Sequence, residues 1–195
     1  MDAVTSLFAH LCSQGRCFVL DGQALPVCQR CFGLYAGAAV TGAWLLLTGA
    51  WRCGLPNRPA GWVQGIALFA AMLGGLHVID VGPAWRLMCG LWTGHVVTLW
   101  LTGAGAQLAQ AALPNWSLIR PWRRLLDVPL LAACPILAWA AWIFATRVES
   151  GRLAFTILAA AGAACLAFVV LWTLSCLALW VIRAPSLRTP SGTCP

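Results

Sequence analysis

Long runs of apolar residues dominate this sequence and limit the environment in which the chain can fold. Five runs approach or exceed the ~20 residues that an α-helix needs to cross ~30 Å of hydrocarbon. They extend over about 32–51, 62–81, 87–113, 128–146 and 153–182. In a bilayer every backbone N–H and C=O group has to be bonded within the protein, which favours helices. The sequence therefore predicts an all-α fold, a polytopic transmembrane helix bundle of about five spans.

The composition agrees with this class and argues against nucleic-acid binding. Charged residues make up only 9% of the chain, against roughly 25% in an ordinary soluble domain. The net charge is +7, and all 12 basic residues are arginine. On so apolar a chain we expect arginines beside lipid headgroups. The predicted partners are the lipid bilayer and other membrane subunits, with no nucleic acid.

The spans divide the chain into four regions. Residues 1–31 form a cysteine-rich N-terminal head, 32–113 a three-helix membrane core, 114–183 two additional transmembrane helices, and 184–195 a polar tail that we expect to be disordered. The head lacks the features of a secretory signal, so we expect it to stay attached. With five spans, seven arginines lie opposite the head and five on its side. This excess predicts that the side opposite the head is cytoplasmic. We expect an inner-membrane protein with its head on the outer, periplasmic side.

Clustered cysteines in the head are the strongest chemical signal. A tetrahedral zinc or iron ion takes four nitrogen or sulfur ligands, and one short turn of a C-x-x-C pair supplies two of them. The head offers five such residues: His10, Cys12, Cys17, Cys28 and Cys31. The residues therefore predict a metal site, although two other uses of the same cysteines remain open.

Redox chemistry is the second use. Cys28 and Cys31 immediately precede an apolar helix, whose positive dipole end stabilises a thiolate, and Arg30 between them adds positive charge. As a catalytic pair they would exchange electrons with Cys12 and Cys17, with a quinone as the cofactor. The third use is structural, in which two disulfides staple a short extracellular cap.

Small residues follow the head and recur later in the chain. Gly33 and Gly37 are four residues apart, and so are Gly90 and Gly94. Each pair lies on one helix face, as in small-xxx-small contacts between membrane helices. The spacing predicts that the helix carrying Gly90 packs closely against the helix that follows the thiols.

Ionisable residues surround the break between the second and third spans. Asp80 and Arg86 lie on the head's side in this topology, where either they pair with each other or Asp80 or His77 approaches the thiols. His77 and His95 are also of the type that ligates haem or a pigment from a membrane helix. A haem- or pigment-associated subunit is therefore a further alternative.

Three motifs together resemble the DUF2085 family of predicted membrane proteins. They are LCSQGRCF, LPVCQRCFGLYAGAAVTG and DVGPAWRLMCGLWTG, and the resemblance covers about residues 10 to 105. The first motif departs from the family pattern, because Ser13 stands where the family has histidine. The matching residues of the other two are Cys28, Arg30, Cys31, Gly33, Tyr35, Gly37, Asp80, Arg86, Gly90, Thr93 and Gly94. The family implies a membrane location but no established activity.

A fainter similarity is to the quinone-linked disulfide-forming membrane oxidoreductases. Their C-x-x-C also precedes a transmembrane helix, but their second cysteine pair lies in a later loop, whereas here it precedes the first. We therefore expect a membrane protein with a cysteine-centred, metal-binding site at the membrane surface, acting as a small or accessory subunit. Thiol-disulfide oxidoreductase activity is the alternative.

Overall fold

A computed structural model describes residues 17–20, 23–75, 82–113 and 152–183, together with the single positions 136 and 140. Within this part of the chain, two strands precede four long helices. A short 3-10 helix, Ala50–Arg52, follows the first of them. The elements are β1 Cys17–Leu20, β2 Gln23–Cys28, α1 Gln29–Thr48, α2 Arg58–Gly75, α3 Pro83–Ala112 and α4 Arg152–Arg183.

A β-hairpin forms the described part of the head. β1 and β2 are antiparallel, with Cys17 opposite Cys28 and Leu20 opposite Gln23. The all-α prediction is therefore wrong for the head, although the other described elements are helical. The signal was present in the sequence, because Asp-Gly at residues 21–22 is a dipeptide favoured in two-residue hairpin turns and separates two apolar stretches.

Local signals place the helix ends a few residues away from the predicted span limits. α1 begins at Gln29 because Cys28 caps it. It ends at Thr48 because Gly49 adopts a left-handed φ of 69°, a conformation that costs glycine little. α3 begins at Pro83, whose fixed φ suits the first turn and whose missing N–H would have had no helical partner there.

The described helices form a bundle with two ends. We call the end with the hairpin and the start of α1 the head end, and the end with Thr48 and Ala112 the tail end. At the head end the Arg30 guanidinium donates to the carbonyl of Gly74, which lies at the end of α2. At the tail end Arg183 of α4 donates to the carbonyl of Ala112. Thus α1, α3 and α4 run from the head end to the tail end, and α2 runs in the opposite direction.

Glycine allows α1 and α3 to touch backbone to backbone. A Cβ atom added at Gly33 or Gly37 would collide with the backbone of α3, and one added at Gly90 or Gly94 would collide with the backbone of α1. The two glycine pairs therefore face each other, which confirms the predicted close packing of these helices.

α4 packs on the outside of this pair. A Cβ at Gly162 would collide with the backbone of Tyr35, and Phe155 stacks on Phe32 with ring centroids 4.8 Å apart. The thiol of Cys165 donates to the Ala38 carbonyl at 3.5 Å. The remaining face of α4 is apolar and exposed, as expected of a helix that contacts lipid.

Two of the described helices, Gln29–Thr48 and Ala154–Arg183, are long and apolar enough to cross a membrane. α2 and α3 occupy most of the second and third predicted spans. The fourth predicted span, 128–146, lies outside the described residues except for positions 136 and 140, which are helical. The tail, 184–195, also lies outside them. The count of five spans therefore stays a prediction.

Replacing Gly90 with leucine should force α1 and α3 apart, because the new side chain would overlap the α1 backbone. Overpacking of a close contact costs about 1–3 kcal/mol and occasionally more. We expect a clearly lower Tm in a thermal unfolding experiment in detergent. Gly65→Leu in α2 is the matched control, because no described atom lies within 4 Å of a Cβ at that position. An equal decrease in Tm in both variants would contradict the conclusion that the α1–α3 contact stabilises the bundle.

Candidate functional site

Cys28 is the centre of the candidate site. Its side chain is only 2% exposed, and its sulfur accepts a hydrogen bond from the backbone N–H of Cys31 at 3.4 Å. This bond satisfies one of the donors that the first turn of a helix leaves without an intrahelical partner. The sulfur consequently lies at the positive end of the α1 dipole, where negative charge on it is stabilised.

The hairpin places Cys17 next to Cys28. The two residues are partners in the antiparallel register, next to an irregularity between Cys17 and Val19, and partners in a regular ladder have Cα atoms about 4.5–5.5 Å apart. That separation lies within the range that a disulfide spans. Cys28 therefore has Cys17 across the hairpin, and Cys31 follows it by about one helical turn. No disulfide joins any two of the described cysteines.

Cys31 is the more accessible member of the C-x-x-C pair. It is half-buried, and it packs beside a hydrophobic cluster that includes Val27, Phe32 and Leu87. Cys28, by contrast, is covered almost completely. Of the two cysteines of the C-x-x-C pair, Cys31 is therefore the one that an approaching molecule can reach more easily.

Two arginines lie beside the start of α1. Arg86 of α3 donates from its guanidinium to the side-chain oxygen of Gln29 at 3.3 Å, while Arg30 reaches the end of α2. Both cations add to the positive potential around the first turn of α1. The predicted partner of Arg86, Asp80, lies outside the described residues.

The predicted metal ligands are only partly described. Cys17, Cys28 and Cys31 lie in the described hairpin and first turn of α1, whereas His10 and Cys12 do not. Across the described ranges, no three His, Cys, Asp or Glu side chains are close enough together to hold a metal ion. A zinc or iron site on these cysteines stays a prediction.

Residues 12–100 contain the hairpin, α1, α2 and more than half of α3. They match the model of DUF2085, a family described as predicted membrane proteins. This confirms the predicted resemblance. The DUF2085 match ends within α3, so α4 lies outside it. No curated protein and no solved structure matches the chain.

A buried polar contact continues the α1–α3 interface within the segment that matches DUF2085. His95 is buried, and its Nδ1 lies 2.8 Å from the hydroxyl of Thr41. The same hydroxyl donates to the carbonyl of Gly37 at 2.7 Å. Since a hydroxyl has one proton, Nδ1 acts as the donor to Thr41 in that arrangement.

Thr41 was not among the predicted site residues, although it extends the Gly33 and Gly37 spacing by one more turn. Its bond assigns His95 a role in helix packing. Haem or pigment ligation by His95 stays a prediction, and His77 lies outside the described residues. Tyr35 is half-buried against the hydrophobic cluster, near the first turns of α1.

Thr41→Val should destabilise the bundle, because valine keeps the shape of the side chain but leaves the buried imidazole without this bond. Loss of one partner of a buried hydrogen bond costs about 1–3 kcal/mol. The free energy of unfolding, measured by titration with a denaturing detergent, should fall by that amount. Thr93→Val is the control, since its hydroxyl donates within α3 to the carbonyl of Cys89. A fall of the same size in Thr93→Val would contradict the assignment.

Proposed function

We propose that this protein is a membrane thiol-disulfide oxidoreductase whose reacting pair is Cys28 and Cys31. The observation that supports it is the position of Cys28, which caps α1, lies one turn from Cys31 and faces Cys17. The helix dipole and the nearby arginines favour a thiolate at this position. The family match to predicted membrane proteins supports a site at the bilayer surface.

The first half of the proposed reaction is ordered by the different burial of Cys28 and Cys31. The thiolate of Cys31 attacks a disulfide in a substrate protein, which forms a mixed disulfide and releases one substrate thiolate. Cys28 then attacks the sulfur of Cys31, closes the Cys28–Cys31 disulfide and releases the second substrate thiolate. Two electrons pass to the substrate, and its two sulfurs take up the protons that Cys28 and Cys31 have lost.

Cys17 supports a further step. Attack of its thiolate on the sulfur of Cys28 moves the disulfide to Cys17–Cys28 and releases Cys31 as a thiolate. A dithiol protein then donates two electrons and two protons to restore the reduced form. The hairpin register supports this exchange, because it pairs Cys17 with Cys28 across the hairpin.

A quinone is a weaker candidate than a dithiol protein for the redox partner. An apolar cavity in the bundle begins at Gly42. That residue is eleven positions beyond Cys31 in α1, or about 16 Å along a helix that rises 1.5 Å per residue. A quinone ring held in this cavity would not touch the thiols, so the exchange we propose runs between thiols.

Cys28→Ser should trap the mixed disulfide on Cys31. Serine is a good N-cap residue, so the start of α1 is preserved, but it cannot resolve the intermediate. Non-reducing electrophoresis of membranes should show adducts that disappear with dithiothreitol. Cys31→Ser combined with Cys17→Ser should give few adducts, because Cys17 is also half-buried and the remaining cysteine of the hairpin, Cys28, is buried. Cys176→Ala in α4, far from the site, should behave as the wild type.

The same proteins test the metal prediction. About one zinc or iron per purified chain, lost in Cys28→Ser without any trapped adduct, would contradict the oxidoreductase and favour a metal site completed by His10 or Cys12. A role as an accessory subunit of a larger assembly stays a prediction. Co-purification of a constant second membrane protein, in a complex stable in mild detergent, would support it.

We also propose five spans, with the head and the tail end on opposite sides of an inner membrane. α3 ends at the tail end and α4 begins at the head end, so the connection between Leu113 and Arg152 has to return to the head end. Its 38 residues, 114–151, are enough for the predicted span at 128–146. The cluster of arginines at residues 120–124 favours a cytoplasmic tail end.

Reporter fusions test this topology. Green fluorescent protein joined after Arg183 should fluoresce, and alkaline phosphatase joined there should be inactive, because that position is expected in the cytoplasm. Fusions after Gly82, at the head end, should give the opposite pair of results. The same reporter active at both positions would contradict an odd number of crossings between Gly82 and Arg183.

A further inference from the structure

A cavity of about 310 Å³ lies between α1, α3 and α4, in the half of the bundle near the tail end. Its walls are mainly apolar. The largest lining side chains are those of Leu45, Leu46, Trp51, Phe168 and Trp172. The volume is roughly twice the ~150 Å³ of an engineered apolar cavity that holds benzene. The space suits a segment of hydrocarbon.

Two polar side chains in the wall already have hydrogen-bond partners. The hydroxyl of Thr102 donates to the carbonyl of Thr98 at 2.6 Å, and the thiol of Cys165 donates to the carbonyl of Ala38 at 3.5 Å. A ligand therefore gains little from placing polar atoms beside these two groups. The chemistry of the wall favours a chain without hydrogen-bonding groups.

The cavity opens toward the surroundings of the bundle. Leu46 on α1 is 70% exposed, and Phe168 on α4 is 67% exposed. Both residues line the cavity, and both lie on the two helices that are long and apolar enough to cross a membrane. In a bilayer the medium outside this opening is the acyl-chain region of the lipid.

Positive charge lies at the same end of the bundle. Arg52 directly follows Trp51, which lines the cavity, and Arg58 is exposed at the start of α2. Trp51 and Trp172 meet edge to face with ring centroids 6.2 Å apart, and indoles of this kind are typical of the membrane interface. Arginines at the interface attract anionic lipid headgroups.

We propose that this cavity binds one acyl chain of an anionic phospholipid from the leaflet at the tail end, with the lipid phosphate beside Arg52 and Arg58. The apolar wall and the open side at Leu46 and Phe168 select the chain, and the arginines select the charge of the headgroup. The site is about 16 Å or more from Cys31 along α1, so the inference does not depend on the thiol chemistry.

Photo-crosslinking tests this site directly. The full-length protein is placed in nanodiscs of phosphatidylcholine that contain a small fraction of phosphatidylglycerol carrying a diazirine on one acyl chain. After irradiation, mass spectrometry locates the labelled residues. Leu46→Trp should close the opening, whereas Leu47→Trp is the matched control because Leu47 is 87% exposed and does not line the cavity.

We expect labels on Leu45 and Phe168. In Leu46→Trp the amount of label at these positions should fall about tenfold, which corresponds to a loss of about 1.4 kcal/mol in binding free energy. Leu47→Trp should retain them, and a phosphatidylcholine probe with the same chain should label these positions less. Arg52→Gln with Arg58→Gln should remove the preference for phosphatidylglycerol.

Three results would overturn the proposal. Labels spread evenly over the outer face of α4 would mean ordinary lipid contact. Equal labelling of the two tryptophan variants would mean that the chain does not enter between Leu46 and Phe168. Displacement of the label by a long-chain quinone, but not by unlabelled phosphatidylglycerol, would assign the cavity to an isoprenoid ligand.

Discussion

The close contact between the backbones of α1 and α3 is the interaction on which the other parts of this structure depend. Lipid is as apolar as a leucine side chain, so two membrane helices gain little from burying leucine, and close packing has to hold them together. The facing glycine pairs provide that packing. They also bring Arg86 to the first turn of α1 and set Thr41 beside His95. Without this contact the candidate site would lose the neighbours that α3 provides.

Sequence spacing identified the glycine contact and the C-x-x-C at a helix start because both depend on residues a few positions apart in one segment. The pairing of Cys17 with Cys28 was missed, because it follows from a hairpin register that the all-α prediction left out. The bond between Thr41 and His95 was also missed. It depends on the relative rotation of two helices, which the spacing of residues within one helix does not determine.

The two ends of the bundle differ in chemistry. At the head end, Cys28 pairs with Cys17 across the hairpin and its sulfur accepts a hydrogen bond from the backbone N–H of Cys31, and a change of disulfide partner is the use that we propose for these cysteines. At the tail end, bulky apolar side chains leave a space that opens toward lipid. These features lie on opposite halves of α1.

Two arginines place their guanidinium groups at helix ends, in a chain whose basic residues are all arginine. Arg30 and Arg183 each bond a carbonyl in the last turn of a neighbouring helix, where the backbone dipole is negative. A guanidinium keeps its charge at such a boundary and offers five donors in a fixed plane, whereas an ammonium gives up its proton more readily when it is desolvated. These two hydrogen bonds involve no primary amine, and the 195-residue sequence has no lysine. Reagents that acylate amines would therefore leave the guanidinium groups of Arg30 and Arg183, and both hydrogen bonds, intact.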